Sequence, residues 1–220
     1  VTEEQLYAMR HSLAHIMAQA IQHLWPEVKL GVGPVIENGF YYDVDLGGDT
    51  ISEEDFPKIE KEMRKIIAAD YAFERSEKSI EDALAWARDT HQTYKEELLN
   101  DLKRSGTTKV KDLDVRELGL STDGQSAIED VSFYSDGDFT DLCRGPHAAS
   151  TGQVGAFKLM RIAGAYWRGK NENPQMQRLY GVAFATDQEL QDHLAMLEEA
   201  KRRDHRLLGD QLKLFMFSED

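Results

Sequence analysis

Two short clusters of proton- and metal-handling side chains stand out from the rest of the sequence, HSLAH at residues 11–15 and CRGPH at residues 143–147. His11 and His15 are i and i+4, so on a helix their imidazoles stack on one face. Gly145-Pro146 forbids a regular helix between Cys143 and His147, which places that pair on a loop or strand end. Two nitrogens from a helix with one sulfur and one nitrogen from a loop form a four-ligand set suited to zinc. The same four groups could bind a substrate and water directly, and spacing does not separate the two uses. HxxxH lacks the glutamate of HExxH, so a zinc-protease reading is poor. Asp138 and Asp141, just ahead of Cys143, are placed to orient an imidazole or position water.

Hydrophobic periodicity outlines the elements that must hold these groups. Residues 3–25 predict an amphipathic helix with Leu6, Met9, Leu13, Met17, Ala20 and Leu24 on one stripe, stopped by Pro26. A helical wheel puts His11 and His15, with Ala18 and Gln22, roughly opposite that stripe. This argues against histidines satisfied in the main core and leaves open two ordinary surface histidines. Small Ala14 and Ala18 beside them permit close approach of another element. VKLGVGPVIENGFYYDVDL predicts two strands turning at Asn38-Gly39, and Ser52 opens a helix running to about Ala69. A short strand over Tyr71–Lys78 and one or two helices from Ser79 to about Arg104 follow. Residues 105–130 have a weak pattern and are expected to be a variable connection. A hairpin turning at Asp136-Gly137, antiparallel strands over 154–186, and a last long helix capped by Asp187, with Leu190, Leu194, Leu197, Leu207 and Leu208 at helical spacing, complete the chain. Helices and strands do not alternate regularly, so the expected fold class is α+β with a mostly antiparallel sheet packed with helices.

Composition narrows the function classes. The 220 residues carry 26 Lys plus Arg against 40 Asp plus Glu, a formal net charge of −14. That balance argues against an indiscriminate nucleic-acid coat or a membrane-surface binder. No apolar run approaches the ~18 residues of a membrane helix, and VTEEQLYAMRH has no signal-peptide core. Cys143 is the one cysteine, so a reducing, cytoplasmic setting is expected. The charge is uneven: residues 27–141 carry −14, whereas 142–180 carry +5 from Arg144, Lys158, Arg161, Arg168, Lys170 and Arg178 against Glu172. A β-rich stretch poor in acids would give the same number. The alternative is a face for one anionic partner, with Arg144, Lys158, Arg161 and Arg168 as phosphate contacts.

RHSLAH, GVGPVIENGFYYDVDL, DLCRGPH and FKLMRIAGAYWRG, in this order, closely resemble the editing domain of bacterial threonyl-tRNA synthetases. The resemblance covers nearly the whole chain and is weak only near 105–130. It implies the fold shared with the editing domain of alanyl-tRNA synthetases and with free-standing alanyl-tRNA deacylases. Residues 1–186 would be the editing domain, and 187–220 a linker helix toward a class II catalytic core whose ATP-binding motifs are absent here. The chain is thus expected to be an excised fragment that neither activates threonine nor charges tRNA.

The implied activity is hydrolysis of seryl-tRNA(Thr). A pocket discriminates by only about 1–3 kcal/mol per methyl group, so a threonine site admits serine and a second site must reject the error. By motif match, His11, His15, Lys95, Asp141, Cys143 and His147 would form the catalytic pocket, with Gly33 and Tyr42 contacting substrate. Water attacks the ester, with Lys95 or His11 assisting proton transfer and Asp141 fixing the serine amine and the water. Cys143 is expected to be a wall or ligand rather than a nucleophile, for want of an adjacent base beyond the cluster. No cofactor is expected for editing; zinc on His11, His15, Cys143 and His147 is the minority alternative, and ATP belongs to the absent core. Expected partners are the tRNA(Thr) acceptor end and the rest of the synthetase, a homodimer at full length, with no membrane. The alternatives are an alanyl-type deacylase and a non-catalytic tRNA-binding module with a structural His/Cys site.

Overall fold

The computed structural model describes residues 1–105 and 130–203; the connection expected near 105–130 and the leucines at 207 and 208 lie outside them. The architecture is α+β, with two antiparallel sheets packed against helices. Helix α1 (Glu3–Leu24) opens the chain behind a capping box, in which Thr2 and Gln5 satisfy each other's backbone N–H. Strands β1 (Lys29–Leu30) and β2 (Val35–Ile36) both pair with one edge of β3 (Gly39–Asp45). Val35 pairs with Phe40 and Ile36 with Gly39, so the hairpin turns on Glu37-Asn38, one residue earlier than expected, with Asn38 at φ +59°.

After a 3₁₀ turn come α2 (Phe56–Ala69), β4 (Glu74–Ser79), α3 (Ile80–Asp89) and α4 (Thr93–Ser105). Strands β5 (Asp130–Asp136) and β6 (Phe139–Leu142) form the hairpin that leads into the CRGPH loop. The long strands β7 (Ala156–Tyr166) and β8 (Gln175–Phe184) precede α5 (Asp187–Arg202), whose N-cap is Thr186 rather than Asp187, because the Thr186 hydroxyl accepts the Glu189 N–H. The larger sheet runs β1-β3-β8-β7, and the smaller β4-β5-β6.

Each sheet has its own apolar cluster. Leu13, Met17 and Ile21 of α1 and Ile59 and Met63 of α2 pack on Phe40, Tyr42, Val44 and Leu179 of the larger sheet. Leu98, Leu99 and Leu102 of α4 pack with Leu84, Phe133 and Trp167 around the smaller one. Every residue of α1 from His11 to Ile21 is buried. The face opposite the leucine stripe is therefore not a solvent face, which removes the surface-histidine alternative: the β5–β6 hairpin and the loop after it cover that face. Among the described residues no helix is long and apolar enough to cross a membrane.

Candidate functional site

The site forms where α1 meets the end of β6. Asp141 lies on β6, so its side chain points inward from the smaller sheet, and Cys143 and His147 follow on the loop. That loop is fastened to α1 through Ser12, which sits between the two histidines. The Ser12 hydroxyl accepts the Ala148 N–H at 2.9 Å and lies 3.2 Å from His147 Nδ1. Lys95 is brought in from the other side. Gln92, at the start of α4, accepts from the Leu30 N–H and donates to the Val28 carbonyl, and so clamps α4 to the sheet edge three residues before Lys95. Tyr42 comes from β3, and Gly33 makes room for its ring, since a Cβ at Gly33 would lie 2.2 Å from it.

Two buried imidazoles, His11 and His15, and the half-buried His147 meet one thiol here. Cys143 Sγ is 3.3 Å from both His11 Nε2 and His147 Nε2, and accepts the Gly145 N–H at 3.2 Å. The rings of His11 and His147 stack at 4.3 Å, and Phe73 stacks on the other side of His147 at 4.8 Å. Burial pushes His11 down to about 4, against the opposing effect of the Pro146 carbonyl. Burial likewise holds His15 and His147 well below the ordinary histidine range, reinforced by their histidine neighbours. All three rings are therefore neutral near pH 7. A carbonyl only accepts, so His11 Nδ1 carries the proton donated to Pro146 O at 3.2 Å, and His11 Nε2 presents a lone pair to the cluster.

Beside the imidazoles lies a charged group. Lys95 Nζ is 2.6 Å from Asp141 Oδ1, both 3 % exposed at the side chain, and donates to the Tyr42 hydroxyl at 3.3 Å. Tyr42 in turn donates to Asp141 Oδ2, and burial followed by the Asp141 charge raises its pKa well above the tyrosine range. Asp141 Oδ1 also accepts the Leu142 N–H at 2.8 Å, and His15 Nε2 stands 3.7 Å from Oδ2. His15 Nδ1 is buried without a hydrogen-bond partner among the described residues.

His11, His15, Lys95, Asp141, Cys143, His147 and Tyr42 are thus brought together, with Gly33 behind Tyr42. Asp138 is not: it turns away to accept from Gln19 at 3.0 Å and to meet His23 at 3.2 Å. The two imidazole nitrogens that touch the Cys143 sulfur both belong to the cluster itself. Of the four expected phosphate contacts, Arg144 alone lies in the site loop, with no hydrogen bond or ion pair to a described residue. The others are engaged elsewhere: Lys158 with Glu60 at 2.9 Å, Arg168 with Asp101 at 2.6 Å, and Arg161 over the Tyr180 ring at 3.9 Å. Ser12, Phe73 and Gln92 went unnoticed in the sequence because isolated residues of these types carry no spacing signal. A cleft of about 440 Å³ between the first turns of α1 and residues 147–155 has His147 in its wall.

The donor set fits a metal ion. One ligand atom from each of His11, His15, Cys143 and His147 lies within 4.8 Å of the others. A tetrahedral zinc site has ligand–ligand edges of roughly 3.3–3.8 Å, so the 3.3 Å sulfur–nitrogen contacts already match. The outer nitrogens of His11 and His147 are held by a carbonyl and a hydroxyl, as those of metal-bound imidazoles are.

Comparison with known proteins places these residues in a family context. The profile of the threonyl and alanyl tRNA synthetase second additional domain matches residues 131–180, which hold Asp141, Cys143 and His147. The chain is 44 % identical over 220 residues to a threonine–tRNA ligase of Sulfurihydrogenibium sp. (strain YO3AOP1), covering 99 % of this chain and 31 % of that one. It is 48 % identical over 218 residues to the ligase of Desulfatibacillum aliphaticivorans and, over the same length, to threonine–tRNA ligase 1 of Bacillus subtilis (strain 168); each match covers 99 % of this chain and 30 % of the relative. The chain therefore spans about a third of the length of the curated relatives it matches.

Proposed function

We propose, from the premise that this chain fits a fragment of a bacterial threonyl-tRNA synthetase carrying its editing domain, that it hydrolyses the ester of seryl-tRNA(Thr). The observation that carries this reading is the single buried enclosure in which neutral imidazoles face a Lys95–Asp141 ion pair. Neutral His11 can accept a proton from water through Nε2, while the Lys95 ammonium and the Tyr42 hydroxyl are fixed by Asp141. Water oxygen bonds to the ester carbonyl carbon, the bond to the ribose oxygen breaks, and a proton passes to that oxygen, releasing serine and tRNA. Lys95 has one ammonium hydrogen left over from Asp141 and Tyr42, which suits it to the developing oxyanion or to the leaving oxygen. Asp141, at the centre of the network, orients Lys95 and Tyr42 and attracts the serine ammonium. Cys143 forms the wall between His11 and His147.

Were zinc bound, His11, His15, Cys143 and His147 would hold it, and its chemistry would be polarisation of a carbonyl or acidification of water. Metal analysis of protein purified without tag or chelator decides this point: substoichiometric zinc is expected, and one zinc per chain would overturn the metal-free reading.

Residues 1–186 would act as the editing domain and 187–220 as the link to a catalytic core. The partners would be the tRNA(Thr) acceptor end, met near Arg144, and the remainder of a homodimeric cytoplasmic synthetase. Deacylation of Ser-tRNA(Thr), Thr-tRNA(Thr) and Ser-tRNA(Ala) by the purified chain tests the reading. Selective loss of the serine ester from tRNA(Thr) is expected. Preference for Ser-tRNA(Ala) would favour an alanyl-type deacylase, and no hydrolysis of any of them a structural His/Cys site.

A further inference from the structure

The stripe of α1 that bears His11 and His15 continues to Gln19 and His23, and Gln19 meets the tip of the β5–β6 hairpin. Gln19 Nε2 donates to the Asp136 backbone carbonyl at 3.2 Å and to Asp138 Oδ1 at 3.0 Å, which staples the hairpin turn to the helix. Asp136 itself is 1 % exposed, and Gln19 is 0 % exposed. Both Asp136 carboxylate oxygens and Gln19 Oε1 are buried without any hydrogen-bond partner among the described residues. Each of these three buried acceptors thus lacks a donor among the described residues, an arrangement an ionised carboxylate tolerates poorly. Protonating Asp136 removes a buried charge that no donor compensates. The ionisable groups near this turn are Asp138, with His23 of α1 and then Glu62 of α2 beyond it, Asp141 on β6 with His15 beside it, and Tyr71 against Gly137. The two whose charge acts on Asp136 are Asp138 and Asp141, both acidic, and with burial as the larger cause they raise its carboxyl to about 8.

We propose that Asp136 is a positioning residue that works as an uncharged acid: its proton keeps the buried carboxyl neutral and the β5–β6 hairpin seated on α1, so that ionising it loosens the strand bearing Asp141 and the Cys143 loop that follows. Pairing of Asp136 with Phe139 puts the carboxyl at the root of that strand, and Phe139 is 1 % exposed with its ring edge-on to His15 at 5.8 Å. Movement there reaches His15 through the Phe139 ring, Asp141 along β6, and Cys143 on the loop that follows.

The test compares wild type with Asp136→Asn, whose amide cannot ionise but can donate. A carboxyl raised in the folded state from 3.8 to about 8 gives stability that is full below the ordinary carboxyl range and lost as pH rises through about 8. The thermal midpoint of Asp136→Asn should therefore gain steadily on wild type between about pH 5 and about pH 8 and then stay level. Parallel midpoint curves, or a variant equally weakened at every pH, would overturn the proposal. Should the variant fail to fold, the infrared carbonyl band of a protonated carboxylic acid in wild type decides: present at neutral pH and lost in alkali is expected, and absence at neutral pH overturns it. A further arm rests on the proposed deacylation: with spontaneous hydrolysis subtracted, wild-type activity should fall by half near pH 8 while Asp136→Asn stays flat. Retention of wild-type activity above that point would overturn the proposal. A protein inactive at every pH would refute the deacylase reading, and the midpoint curves would still decide the role of Asp136.

Discussion

Tyr42 and Asp43 are neighbours on β3, and because side chains alternate along a strand they serve two buried charged groups on opposite faces of one sheet. On one face, Asp43 receives both arms of Arg178 at 2.7 and 2.9 Å, and the guanidinium lies 4.0 Å over the ring of Tyr41. That pairing closes on itself, as a bidentate arginine–carboxylate contact does. On the other face, Tyr42 and Lys95 meet Asp141, and the network stays open at its far side. Lys95 keeps a hydrogen, His15 Nδ1 has no partner among the described residues, and His11 Nε2 offers its lone pair to a thiol. Burial and charge are common to both groups. A buried polar atom without a partner among the described residues belongs to one of them, which marks that group as the candidate for binding something else.

The sharpest way to break this contrast is to remove one cation from each group. Lys95→Met strands Asp141 in a site 3 % exposed, and a loss of about 3–5 kcal/mol in denaturant unfolding is expected, together with loss of hydrolysis. A smaller stability loss than that of the Arg178 variant would show the open network to be solvated and the contrast false. His11→Ala should lower hydrolysis by about 10²-fold or more while costing less stability than Lys95→Met, since a neutral ring leaves no charge behind. An unchanged single-turnover rate would remove His11 from proton transfer. Arg178→Met should cost about 1–3 kcal/mol, because the Arg178 side chain is 21 % exposed and its removal lets water reach Asp43. Hydrolysis should then stay within about twofold of wild type. A large rate loss there would mean that the two faces of β3 are coupled.

Much of the candidate site is legible in the sequence because its residues come in pairs. His11 with His15 and Cys143 with His147 are close enough in sequence for helix geometry and loop chemistry to speak. Lys95 and Tyr42 came only from motif likeness, since a lone lysine or tyrosine has no periodicity of its own. The burial of the histidines was misjudged because a helical wheel knows one core, whereas α1 lies between two layers and is covered on both faces. The charge balance over 142–180 leaves a partner face and an acid-poor β stretch both open, and acids distant in sequence, such as Glu60 and Asp101, cancel much of it in space. Asp136 was visible only as a turn residue. Its lack of donors is a property of tertiary packing, which no local pattern encodes.

The contact between His11 and Cys143 joins positions 132 residues apart. A chain made from its N-terminus therefore completes α1 long before the loop that gives the histidines their partners exists. During that interval the polar stripe of the helix faces water or other parts of the nascent chain, and nothing stores a half-formed site. Closing so long a span costs more chain entropy than any local contact, so the enclosure depends on the elements between being in place. The working enclosure would thus be among the last things to form and among the first to register damage. Its chemistry would report on the soundness of both sheets together.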